Sequence, residues 1–94
     1  MSVSSTRKDE MARERQRLVD ERTAEDGSGW AEKFAPGTLG CHELVDRAAI
    51  MAAMVDSYLV GHPACIARPD WYALANQAAE ALHQLYQRVA AEHV

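Results

Sequence analysis

Two stretches of this chain repeat apolar side chains at helical spacing, and a short punctuated segment lies between them. That segment is Gly61-His62-Pro63-Ala64-Cys65-Ile66-Ala67-Arg68-Pro69. A glycine past one helix end and a proline just inside the next helix start mark a helical hairpin. The first stretch predicts a helix over about residues 40–60. At about 100° per residue, Leu44, Ala48, Met51, Val55 and Leu59 form its central seam. Ile50, Met54 and Tyr58 widen the apolar arc on one flank, and Val45 and Ala52 on the other. Such an arc is broader than a single neighbouring helix requires. The second stretch predicts a helix over about 69–92. Trp71, Leu74, Ala75, Ala78, Leu82, Leu85 and Val89 make its seam, with Tyr86 and Ala81 at the edges. Asn76, Gln77, Glu80, Gln84, Gln87 and Arg88 cover the opposite side. Pro69 takes the first helical position and Asp70 supports the first turn. Between the helices, His62-Pro63 starts a single short turn through Ala67.

Ahead of the hairpin the pattern changes. From Arg7 to Asp26, six basic and seven acidic side chains surround only three large apolar ones, Met11, Leu18 and Val19. Helix propensity is high, yet no apolar stripe exists to anchor the segment. Like charges face one another at Glu10/Glu14, Arg13/Arg17 and Glu21/Glu25, against a favourable Asp9/Arg13 pair. The expectation is a charged, partly disordered or conditionally helical tail over residues 1–29, ended by the flexible joint Gly27-Ser28-Gly29. In the connector that follows, Trp30 and Phe34 are one helical turn apart and spaced to press on the hairpin. Pro36-Gly37 forms a turn, and Thr38 or Gly40 caps the first long helix. With Gly40 as cap, Glu43 falls at the third helical position, where the helix dipole suits a carboxylate. The chain therefore reads as all-α, with residues 30–94 as the hairpin domain.

Two helices with one apolar stripe each do not enclose a core, and a domain of about 60 residues buries only about 60% of its unfolded surface. Something must cover the Met51/Met54/Tyr58 flank: the connector, the N-terminal segment or a second copy. Because residues 7–26 are so polar, a second copy is favoured, giving a four-helix bundle with two-fold symmetry. Composition narrows the class further. The formal charge of −4 argues against a nucleic-acid backbone as partner, and residues 30–94 carry only Lys33, Arg47, Arg68 and Arg88 against seven acids. No apolar run reaches membrane-spanning length. Two cysteines make no disulfide framework and no secretory leader pattern is visible, so a reduced, cytoplasmic setting is expected.

Candidate chemistry is sparse. Cys41-His42 and His62 with Cys65 supply the residue types of a zinc site. About 20 helical residues at roughly 1.5 Å each hold the two pairs about 30 Å apart. That is too far for one ion, or for a Cys41–Cys65 disulfide, within one chain; only a neighbouring antiparallel chain unites them. A buried, inert Cys41 and a capping or turn His62 are the expectation. His42-Glu43-Leu44-Val45-Asp46 resembles the H-E-x-x-H motif of zinc peptidases over five residues, with Asp46 where the second His belongs. The resemblance implies His42 and Asp46 as ligands and Glu43 as base. An antiparallel hairpin closing at 61–68 brings His83 level with Asp46 as a third ligand, and Glu80/His83 repeat the E-x-x-H spacing of di-iron bundles. On the helical wheel, however, His42, Asp46 and Glu80 point away from the seams, whereas ligands of a bundle site point inward. A zinc or iron site at His42, Asp46 and His83, in a metal-binding protein or metalloenzyme, is the rival reading; the primary one has no cofactor. Ser57 and Asp56 diverge on the helix surface and build no triad. Gly27-Ser28-Gly29 and Gly37-Thr38-Leu39-Gly40 lack the lysine and spacing of a phosphate loop.

What remains is recognition through a helix face. Methionines adapt to partners, and aromatic side chains dominate binding energy. Ile50, Met51, Met54 and Tyr58, extended by Trp71 and Tyr86, form the candidate interaction surface. The sequence thus predicts a non-enzymatic protein-binding module: a regulator, adaptor or inhibitor that acts as a homo-oligomer or on a larger protein, with no nucleic-acid or membrane partner.

Overall fold

The computed structural model describes residues 3–93; Met1, Ser2 and Val94 lie outside them. The elements in order are α1 (Val3–Asp26), a 3-10 turn (Trp30–Phe34), α2 (Leu39–Met54), a π-helical turn (Val55–Val60) that continues α2, α3 (Pro63–Ile66) and α4 (Pro69–Glu92). No strand occurs among the described residues, so the chain is all-α. It divides into two compact units, Met1–Lys33 and Phe34–Val94.

In the first unit the charged stretch is one continuous helix through Asp26. Arg17 links its side chains, donating to Glu14 at 2.7 and 3.1 Å and to Glu21 at 2.8 Å. Arg22 pairs with Asp26 at 3.2 Å. These i,i+3 and i,i+4 pairs offset the like-charge neighbours expected from the spacing. The Arg17 guanidinium holds the Glu14 carboxyl below the usual carboxylate range, by hydrogen bonding first and by charge second. Gly27 ends the helix at φ +88°, with its N–H donating to Thr23 O at 2.9 Å. Only glycine adopts that left-handed backbone without strain. The turn sends Trp30 back over the helix end, where its indole N–H donates to Thr23 Oγ1 at 3.0 Å and Arg22 lies 6.0 Å from the ring centroid. Trp30 therefore packs at the end of α1 within the first unit, and Phe34 opens the second.

The second unit opens on Ala35-Pro36-Gly37-Thr38, which has the hydrogen bond (Thr38 N–H to Ala35 O, 3.1 Å) and the positive-φ third residue (Gly37, +91°) of a type II turn. Thr38 is the cap of α2, its Oγ1 accepting from Cys41 N–H at 3.2 Å. Glu43 consequently lies beyond the first turn, not at the third position that a Gly40 cap would give it. At the far end, Gly61 N–H donates to Asp56 O, five residues back, at 3.0 Å and closes the π turn. Gly61 keeps φ −82°. Crowding is what suits glycine there, since a Cβ would sit 3.2 Å from Ser57 O. His62 caps α3 through Nδ1, which accepts from Ala64 N–H at 3.0 Å.

Helix α2 with its π turn packs antiparallel on α4. Gly37 N–H donates to His93 Nδ1 at 2.8 Å near one end, and Asp56 Oδ2 meets His83 Nε2 at 2.9 Å near the other. The inner seam is not made of the largest side chains. Cys41, Ala48, Ala52 and Ala79 are buried, and Val45, Val55, Ala75, Leu82, Tyr86 and Val89 are half-buried beside them. Leu44, Met51 and Leu59, expected at the centre of the first helix, are exposed, as are Trp71, Leu74, Ala78 and Leu85 of the second. The reason lies in two runs of 4-3-4-3 spacing, at positions 41, 45, 48, 52, 55 and 75, 79, 82, 86, 89. Alanines on those runs let the helix axes approach closely and multiply short-range contacts along the pair. The bulky residues are left to flank the seam. The register also departs from a symmetric hairpin. Because α3 packs on α4, the connection folds back along the first turns of α4, and the end of α2 meets α4 near its middle.

Candidate interaction surface

Rotation about each helix decides what the displaced apolar residues form. Asp56 and His83 meet across one side of the seam. At about 100° per residue, Leu44, Met51 and Tyr58 lie across the α2 seam from Asp56; Leu74, Ala78 and Leu85 lie across the α4 seam from His83. The two helices therefore share one polar side, with Asp56, Asn76, His83 and Gln87, and one apolar side. On the apolar side Met51 is 49% exposed, Met54 43% and Tyr58 66%. Two depressions adjoin its Met54–Tyr58 edge, the first on the back of α2 and the second on the apolar side itself. One of about 320 Å³ is lined by Ile50, Ala53, Met54, Ser57 and Tyr58, and one of about 190 Å³ by Met51, Met54, Val55, Tyr58 and Leu59. Met54 and Tyr58, one helical turn apart, border both. They form a ridge with a groove on either side, the surface form by which helices dock on one another.

Five of the six residues expected at the interaction surface are exposed: Ile50, Met51, Met54, Tyr58 and Trp71. Tyr86 turns into the seam and is half-buried. The Trp71 indole is pinned by Arg68, whose Cζ lies 4.4 Å from the ring centroid and whose guanidinium also pairs with Asp70 at 3.2 Å. Leu44, Leu59, Leu74 and Leu85 join the face although spacing by size put them in the seams. The 4-3-4-3 runs that carry Ala48, Ala52, Ala75 and Ala79 are the signal that places them outside.

The metal candidates do not converge. His42 pairs with Asp46 at 3.3 Å on an exposed stretch of α2, and Glu43 pairs with Arg47 at 3.7 Å. His83 is held by Asp56 instead of lying level with Asp46, because α4 is shifted along α2 relative to a symmetric closure. The His42 ring lies 5.5 Å from that of His93, whose Nδ1 is occupied by the Gly37 N–H. Cys41 is buried near the start of α2 and Cys65 lies beyond the π turn at its end; both are free thiols. Among the described residues, no three His, Cys, Asp or Glu side chains gather where they could hold a metal ion. Nor is any helix among them long and apolar enough to cross a membrane. Comparison with protein-family models, curated proteins and solved structures gives no match.

Proposed function

We propose that this chain is a protein-binding module that works by association, its apolar two-helix face docking on helices of a protein partner. One observation supports this reading above the others. The hairpin places Ala48, Ala52, Ala75 and Ala79 on its own seam and leaves Leu44, Met51, Tyr58, Leu74 and Leu85 exposed on one side. Water-exposed apolar surface of that extent on one side of a small domain marks an interaction site. Aromatic and methionine side chains are the types that carry binding energy on an adaptable surface. A regulator, adaptor or inhibitor of a larger assembly fits a module of this kind, and a reducing compartment fits its two free thiols. The test is photo-crosslinking from single sites of the full chain in its native cell. A benzophenone side chain at Leu44 or Leu85 is expected to yield discrete protein adducts, and one at Asn76 or Gln87, on the polar side, is expected to yield few. Equal yields from both sides count against the reading.

A further inference from the structure

The structure also narrows what covers the apolar face. Resting on the reading just given, we infer that the occupant is a second copy of this chain, related by a two-fold axis so that two hairpins close into a four-helix bundle.

Three observations carry this. The first is area. Leaving out Ile50, on the back of α2, the eight large side chains of the face named above are roughly half exposed. At about 150–250 Å² for a full aromatic side chain and less for leucine or methionine, they offer on the order of 600–800 Å² per copy, near the roughly 800 Å² each partner contributes to a stable interface of standard size. The second is shape. The ridge of Met54 and Tyr58 runs beside the groove lined by Met51, Val55 and Leu59, so one copy presents both the projection and the recess that a two-fold partner needs. The third is charge. The rim of the face near the start of α2 carries Glu43 and Arg47, of opposite sign and 3.7 Å apart. A rim of one sign would repel its own copy, whereas this one lets Arg47 of each hairpin approach Glu43 of the other. The stretch Arg7–Asp26 is a poor competitor for the face, with only Met11, Leu18 and Val19 as large apolar residues.

The experiment is multi-angle light scattering on the full chain from about 1 to 300 µM, with helicity followed by circular dichroism. The wild type is expected to reach twice the chain mass of 10.4 kDa. Met54→Glu places a carboxylate in each half of a symmetric apolar interface, so the dissociation constant is expected to rise at least about 100-fold with helicity kept. Leu85→Gln, a milder change on the other helix, is expected to weaken association in the same direction. Gln87→Glu on the polar side is expected to leave it unchanged. Should Met54→Glu lose helicity, the Leu85→Gln and Gln87→Glu pair decides. A folded wild type that stays at 10.4 kDa throughout overturns self-pairing. If photo-crosslinks from Leu44 and Leu85 to another protein persist in that case, the binding-face reading stands; if they are absent, both fall. A dimer indifferent to Met54→Glu and Leu85→Gln overturns the assignment of this face.

Discussion

Single residues set the ends of the two-helix unit. Gly37 does two things at once: it adopts φ +91° in the turn before α2 and its N–H donates to His93 Nδ1 at the end of α4. A Cβ at Gly37 meets nothing within 4 Å, so a side chain there is penalised by backbone conformation alone. Gly37→Ala is expected to lower unfolding free energy by about 1–2 kcal/mol, and Gly37→Asn by less, because asparagine tolerates the left-handed region. Urea denaturation checks the order, and equal stability of all three contradicts it. His93→Ala leaves the Gly37 N–H without its acceptor. Its amide is expected to exchange with solvent markedly faster while amides in the middle of α2 do not, which hydrogen exchange by NMR reads directly.

At the level of elements, the ends were easier to read than the faces. Pro69, Thr38 and His62 act through capping rules that need only local sequence, and the observed span of α4, Pro69–Glu92, coincides with its expected one. The buried face was not legible from residue size. Leu44 and Met51 carry more apolar surface than Ala48 and Ala52, yet close approach of two helices rewards small side chains. The π turn was hidden because its cause, a bond from Gly61 N–H to Asp56 O, leaves no periodic trace over six residues. The seam makes a prediction that residue size alone would invert. Ala52, 3% exposed, should resist enlargement, with Ala52→Leu costing about 1–3 kcal/mol. Met51→Ala, one position away, should cost less than about 1 kcal/mol in dilute protein. Urea midpoints in the reverse order would contradict the packing described. Helix α1 is expected to respond to pH through the Glu14–Arg17 pair. Because Arg17 lowers the Glu14 carboxyl, its contribution is full above the unperturbed value of 4.5 and is lost as the pH falls through the lower folded value. Arg17→Ala is expected to reduce helicity at neutral pH and to flatten its decline below about pH 4.5. Parallel titration curves for the two proteins would contradict that role.

For the molecule as a whole, the all-α class and the surplus of apolar surface were both visible in the sequence, since two stripes cannot bury one another entirely. The composition of the surplus was visible only in part. Met54 and Tyr58 were expected on it, but Leu74 and Leu85 join them only once the alanine seam fixes the rotation of α4. The metal alternative drew on His83 lying level with Asp46, and that depended on a register which α3 shifts by packing along α4. The central claim is that the alanine seam is the inside of one chain and the leucine–methionine face its outside, closed by a second chain. Methyl NMR with a soluble nitroxide tests it most directly, on protein labelled at alanine and methionine. At low micromolar concentration the methyls of Met51 and Met54 are expected to bleach while those of Ala48 and Ala52 are spared; at several hundred micromolar the two methionines are expected to become protected as well. Methionines shielded in protein that light scattering shows to be a single chain, or Ala52 bleaching together with Met51, would contradict the account.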